Sequence, residues 1–356
     1  MRKRSKTRRD GDPVLCPECL PCPTATTIAW SDDVWNFLVG CSRVNASCDG
    51  CYAMGQAHRK MSPQHKGLTI LRPKTASRPG VDWNGKVNVV LEKIREPLRW
   101  RKPRRVFVNS MSDLFHYAVP EHVLDQAFAV MLITSLHESR GGHTYQCLTK
   151  RPSRMLAYLT NPRLRGRLAL AAGRMMEDGD GWHDRIDQYI GVFGPVHPLI
   201  QLGVSVGCQA EADEFVPILQ DMPAGLRWVS YEPAHGPVDF MRGGWLCCRD
   251  GDVGGPHVDW IVVGGESGPK ARRFDLAWAR STIEQCRGSG TKVFVKQLGS
   301  RPISSNPDDK RHCGDTMLPS PFRMKLDDRA GADPSEWPED LCVREWPIAP
   351  KGRWPP

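Results

Sequence analysis

From about residue 67 onward, short apolar runs rich in β-branched residues alternate with stretches of helical spacing. The runs predict strands at Val87–Leu91, Val106–Asn109, Thr144–Thr149, Ile200–Val206, Arg227–Tyr231, Trp260–Val263 and Lys292–Lys296. Between them the pattern predicts helices such as Glu121–Leu136, Glu211–Leu219 and Leu276–Cys286. The runs are continuous rather than alternating, which suits strands covered on both faces of a parallel sheet. Strand–helix alternation implies βαβ units, so the fold class is α/β. Seven candidate strands suit a partial or complete (β/α) barrel, with a doubly wound open sheet as the competitor. In either fold the active site forms at the C-terminal ends of the strands. The residues just after each run are therefore the ones to read.

Two segments break the repeat. Residues 161–199 form a long excursion, and Met241–Pro256 is a Gly-rich insertion containing Cys247 and Cys248. Residues 1–26 read as a disordered tail, basic and then Cys/Pro-rich, ahead of a barrel domain over 27–300. Residues 301–356, rich in Pro, Asp and Trp, read as an irregular extension wrapping the domain surface.

Composition sharpens this picture at two points. No stretch approaches the roughly 18 apolar residues that span a bilayer, and no apolar segment follows the basic start as in a secretory signal. A cytoplasmic protein without a membrane partner is expected. The net charge of +9 includes the opening run Arg2–Arg9, which reads either as a solvated tail or as an arm that binds phosphates nonspecifically.

Thirteen cysteines are many for such a protein, and in a reducing compartment clustered cysteines are more often metal ligands than disulfides. Cys41, Cys48 and Cys51 fall within eleven residues and can ligate three corners of a [4Fe–4S] cluster. A missing fourth protein ligand leaves one iron open for the amino and carboxylate groups of S-adenosylmethionine. The competing reading is a structural zinc site completed by a distant His or Cys. A second group, Cys16, Cys19 and Cys22, could be half of a zinc site completed by Cys247, Cys248, His312 or Cys313. It could equally hold a second cluster, or be a reactive tail that ligates nothing.

Further motifs carry a family resemblance. The segment Ile28–Asn36 leads into Gly40-Cys41 and then Cys48-Asp49-Gly50-Cys51-Tyr52-Ala53. It is followed by Asn109–His116, Leu148–Pro152, Leu202–Val206, Ser230–Pro233, Val263–Pro269 and Phe294–Gly299. Together these resemble the phage Gp37/Gp68 (DUF5131) family, and the pattern is similar to radical S-adenosylmethionine enzymes of the spore photoproduct lyase-like branch. Six residues separate Cys41 from Cys48, where the common radical pattern has three.

The resemblance implies a radical-type barrel with S-adenosylmethionine as cofactor, a 5′-deoxyadenosyl radical as oxidant, and an electron donor such as a flavodoxin or ferredoxin. It implies that Ser110 and Asp113 hold the cofactor's amino group or ribose, with Tyr52, Asn109 and Ser205 as further contacts and Lys150 paired to its carboxylate. Glu232 and Glu266, after the fifth and sixth runs, are candidate catalytic residues against a plain reading as surface carboxylates. Gly264, Gly265 and Gly268 would let the backbone approach a ligand. Family members usually carry Glu-Asn where this chain has Gly207-Cys208. Cys208 is thus a candidate hydrogen-atom donor, or a chance small residue. The implied substrate is nucleic acid, with DNA modification or repair at a base taken out of the stack. The alternative is a zinc-dependent nucleic-acid-binding protein without catalysis.

Overall fold

The computed structural model describes residues 26, 28–59, 63–76, 79–137, 142–176, 181–246, 256–312 and 320–347. All of the expected tail but residue 26 lies outside them, Cys16, Cys19 and Cys22 included, as do Cys247, Cys248 and Cys313.

Seven strands form one parallel sheet: β1 (Asp33–Trp35), β2 (Arg105–Val108), β3 (Thr144–Thr149), β4 (Ile200–Ser205), β5 (Arg227–Tyr231), β6 (Trp260–Gly264) and β7 (Lys292–Gln297). Their spatial order is their chain order. A doubly wound sheet would reverse direction midway, so this is a (β/α) half-barrel. Among the described residues no pairing joins β1 to β7, and the barrel is partial. The strands are the continuous apolar runs: every residue of β4 and β6 is buried.

The expected first strand is corrected. Asn88–Val89 pairs antiparallel with Leu38–Val39, outside the main sheet. The first barrel strand is Asp33–Trp35, which pairs with Val106–Val108. Its polar residues hid it from the hydrophobic pattern, and arginines neutralise them: Asp32 pairs with Arg105 at 2.7 Å, and Asp33 with Arg104.

Helices α1 (Tyr52–Arg59), α2 (Glu121–Leu136), α3 (Pro152–Leu159), α4 (Leu164–Met175), α5 (Trp182–Phe193), α6 (Gln209–Gln220) and α7 (Leu276–Ser289) connect the strands. The excursion at 161–199 is the pair α4–α5, packed on the largely buried α2. No helix among the described residues is long and apolar enough to cross a membrane.

The main core lies between the sheet and the helices. A second apolar cluster gathers Trp30, Phe107, Trp228, Trp260 and Phe294. Trp30 meets Phe107 at 4.7 Å and Trp228 at 5.2 Å, both edge-on, the arrangement ring quadrupoles prefer. The C-terminal extension closes the free edge. Val295 N–H donates to Val343 O, Glu345 N–H donates to Val293 O, and Trp346 packs on Phe294 at 5.0 Å. Pairing an exposed edge in this way removes a row of unmet backbone groups.

Candidate functional site

The cysteine loop lies over the C-terminal ends of the strands, and each of its anchors has a definite chemistry. Gly40, at φ 102°, starts it, and a Cβ there would stand 2.3 Å from Lys86 O. Only glycine fits both demands. Gly40 N–H donates to Met111 O at 3.2 Å, which ties the loop to the turn after β2. Arg43 pairs with Asp82 at 2.6 Å and Asp49 at 2.7 Å, and donates to Cys48 O. Arg272 donates to Ala46 O at 3.1 Å while its Nε holds Glu266 at 2.9 Å.

Ser47 Oγ donates to Glu211 at 2.8 Å and lies 3.1 Å from His235 Nε2. Burial opposes ionisation of Glu211, but hydrogen bonds from His235, Ser47 and the Gly207 N–H outweigh it and hold the carboxyl below its ordinary range.

All three cysteines are half-buried free thiols close enough to influence one another's ionisation. Burial pushes the Cys41 thiol up to about 12; Asp113 adds to this and Arg151 opposes it. Cys51 precedes α1, and burial raises its thiol against hydrogen bonds from the Met54 and Ala53 backbone. Among the described residues, the one group of three His, Cys, Asp or Glu side chains whose ligand atoms lie within 4.8 Å of one another is Cys208, Glu211 and His235. Three thiols on one loop, close enough to feel one another's charge, are a donor set that fits three corners of a cluster.

Beneath the loop, the strand-end residues meet in two networks. In the first, Asp113 accepts from Phe115 N–H, Thr149 Oγ1, Lys150 N–H and Arg151 Nη1, the last at 2.8 Å. Its carboxylate is thereby fully engaged within the chain. Arg151 then donates to Ser42 O and Oγ, each at 2.9 Å, and reaches Cys41 Sγ at 3.8 Å. In the second, Lys150 Nζ donates to Ser205 Oγ, which donates to Glu232 O at 3.2 Å. Glu232 Oε1 accepts from Lys296 Nζ at 2.7 Å and Gln297 Nε2 at 3.1 Å. This network joins the ends of β3, β4, β5 and β7.

Tyr52 donates from its hydroxyl to Ser110 O at 2.9 Å, and Ser110 Oγ shares hydrogen bonds with Asn36. Asn109, at φ 62°, turns the chain after β2 and braces Leu38 N–H, while its buried Nδ2 has no partner among the described residues. Asparagine tolerates that left-handed conformation better than most side chains. Glu266 is 7% exposed, bound by Arg272 and set against Gly50 of the loop. Gly264 and Gly265 face the chain itself: a Cβ on Gly265 would stand 2.6 Å from Leu298 O.

Sequence reading missed Arg151 as a neighbour of Cys41. It also missed Ser47, Glu211 and His235, which three distant segments bring together. Tyr117 was missed too. It leaves 73% of its surface open beside Arg151 and Arg154, whose guanidinium carbons lie 5.9 and 5.8 Å from its ring centre.

Fold and site together define a half-barrel α/β protein with a three-cysteine loop over the strand ends. Residues 25–320 match the model of a family described as a protein of unknown function (DUF5131), and the chain belongs to that family. No curated protein matches it. Its fold is similar to a solved structure titled "Spore photoproduct lyase complexed with dinucleoside spore photoproduct", at 11% identity and a TM-score of 0.34, over 83% of this chain and 76% of that chain.

Proposed function

We propose that this chain is a radical S-adenosylmethionine enzyme acting on a nucleic acid base, with Cys41, Cys48 and Cys51 holding a [4Fe–4S] cluster. The observation that carries the reading is the gathering of these three free thiols on one loop over the strand ends. When bound, such a cluster supplies the electron that splits the S–C5′ bond of S-adenosylmethionine, giving a carbon radical able to take hydrogen from an unactivated C–H bond.

The chain's own residues prepare that chemistry. Arg151 lends positive charge beside Cys41, favouring the thiolate a ligand must be. Asp113 acts through Arg151, since its oxygens are engaged. Lys150 offers a cation for the cofactor's carboxylate, and Glu232 an acceptor for its ammonium. Ser205, Ser110, Asn109 and Tyr52 shape the cofactor's surroundings, with the free Nδ2 of Asn109 as a donor. Glu266 positions the loop. An electron donor such as a ferredoxin or flavodoxin completes the system.

Support for a nucleic acid substrate comes from Tyr117, an open ring on the turn that follows β2. Such a ring suits stacking on an unpaired base. The chain's +9 charge adds the long-range attraction.

The test is anaerobic reconstitution with iron and sulfide, followed by EPR of the reduced protein with and without S-adenosylmethionine. The expected result is a [4Fe–4S]⁺ signal that changes on adding the cofactor and is lost in Cys48→Ala. Stoichiometric zinc on these three thiols, with no cluster formed anaerobically, overturns the reading.

A further inference from the structure

We infer that Cys208, Glu211 and His235 form a second, mononuclear site for a divalent transition metal, with zinc as its probe. The site lies beside the cysteine loop and is independent of the cluster. The ligand atoms of these three side chains all lie within 4.8 Å of one another. Thiolate, carboxylate and imidazole together are the donor set of zinc and its neighbours, not of magnesium or calcium.

Local structure builds the site. Cys208 is the N-cap residue of α6, without a side-chain cap bond, and Glu211 sits three residues on, so the helix start presents both on one side. His235 follows β5, and its N–H donates to Gly207 O at 2.8 Å, which locks the two strand-end loops together. Gly207 makes room: a Cβ there would stand 2.4 Å from His235 Cδ2 and 2.5 Å from Ser47 Oγ. Tetrahedral zinc needs ligand atoms roughly 3.3–3.8 Å apart. Small side-chain rotations close the remaining gap. Three protein ligands leave a fourth position for water or the Ser47 hydroxyl.

Two other readings of the same atoms fare worse. Ser47, His235 and Glu211 superficially resemble a hydrolytic triad. In a triad, however, the carboxylate holds the ring nitrogen opposite the serine. Here Glu211 bonds the serine itself and approaches the same Nε2, at 3.6 Å, and Ser47 is 4% exposed. A plain hydrogen-bonded clamp would explain Ser47, Glu211 and His235 but has no use for Cys208, whose thiol makes no hydrogen bond among the described residues.

A metal-bound sulfur carries no S–H hydrogen, so occupancy of this site excludes Cys208 as hydrogen-atom donor. Because Ser47 is the middle residue of the Ala46–Cys48 turn, the metal would fix the loop to β4 and β5 from one side.

The deciding variant is Cys208→Ser in the full-length chain, since it removes no hydrogen bond of the network. Zinc per chain is counted by elemental analysis after equilibration with zinc alone, and cobalt titration reads the sulfur-to-cobalt charge-transfer band. The wild type should bind one zinc more than Cys208→Ser, whereas Cys48→Ala should keep that equivalent. Cys208→Asp places a preferred N-cap residue and a ligand at the same position, so it should keep the metal and lose the cobalt–sulfur band contributed by this site. An equal zinc count and an unchanged cobalt–sulfur band in folded Cys208→Ser overturn the assignment. Should that variant not fold, a Cys208→Asp chain with the full wild-type cobalt–sulfur band overturns it equally. Neither outcome bears on the cluster, which Cys48→Ala reports separately.

Discussion

Arg151 is 6% exposed and carries its charge beside one cysteine while answering one carboxylate. A buried pair of this kind gains little over an apolar one, but breaking it strands the remaining charge, at a cost of about 3–5 kcal/mol. Arg151→Ala should lose stability on that order, because it leaves Asp113 buried and frees Ser42. Lysine keeps the charge but lacks the fork that reaches Asp113 and Ser42 together. Arg151→Lys should therefore lose less stability than alanine yet assemble less cluster than wild type. Urea titration and iron content per chain read the two effects separately. Equal stability of Arg151→Ala and wild type would show that the pair does not brace the loop. At this scale the sequence exposes chemistry better than geometry. Cys41, Cys48 and Cys51 are visible because their spacing is local. Ser47, Glu211 and His235 are not, because only folding brings positions so far apart within hydrogen-bond reach.

At the scale of elements, six of the seven barrel strands coincide with continuous apolar runs, because a strand buried on both faces has no polar side to write into the sequence. The exception, β1, is three residues long and begins at a pair of aspartates, Asp32 just before it and Asp33 within it, whose partners, Arg105 and Arg104, lie some 70 positions away. Such compensation is invisible until the strands pair. The small Leu38–Val39 and Asn88–Val89 ladder shows the opposite case, an apolar run that looks like a core strand but pairs outside the main sheet, with Val87 and Val89 against the main core and Val90 in the loop's satellite cluster. Trp30, just ahead of β1, ties this end of the sheet to the other by touching rings from β2, β5 and β6. Removing a buried tryptophan costs about 3–5 kcal/mol through lost transfer energy and the cavity left behind. Trp30→Ala should lower the urea midpoint accordingly, without changing the metal content of the folded fraction. A loss below about 1 kcal/mol would mean that the aromatic cluster repacks around the gap.

At the scale of the molecule, stability should fall as the solution is acidified, and two buried histidines set the first part of that fall. His197 Nδ1 accepts the Leu199 N–H at 3.1 Å, and His116 Nδ1 accepts the Ala118 N–H at 3.1 Å. A protonated ring has no lone pair for either bond, so both histidines are neutral in the folded chain. Burial lowers His197 to about 4. For His116, burial and then Arg151 lower it to about 4, with Asp113 opposing. Unfolded histidine titrates near 6.5. Between these values the unfolded chain binds protons that the folded chain refuses. The linked stability is therefore whole above about pH 6.5 and is lost progressively down to about pH 4. Each histidine contributes up to about 3 kcal/mol of that loss. Urea midpoints near neutrality and near pH 5 measure the slope, since acidic groups held below their ordinary range give way mostly at lower pH. His197→Asn supplies an acceptor where Nδ1 was and cannot titrate, so it should flatten its share of the slope while staying folded. The same slope in wild type and His197→Asn would assign the acid sensitivity elsewhere. His116 would be the next place to look, because protonating its Nδ1 breaks the Ala118 bond on a ring whose Nε2, 2.8 Å from Ser42 Oγ, touches the cysteine loop.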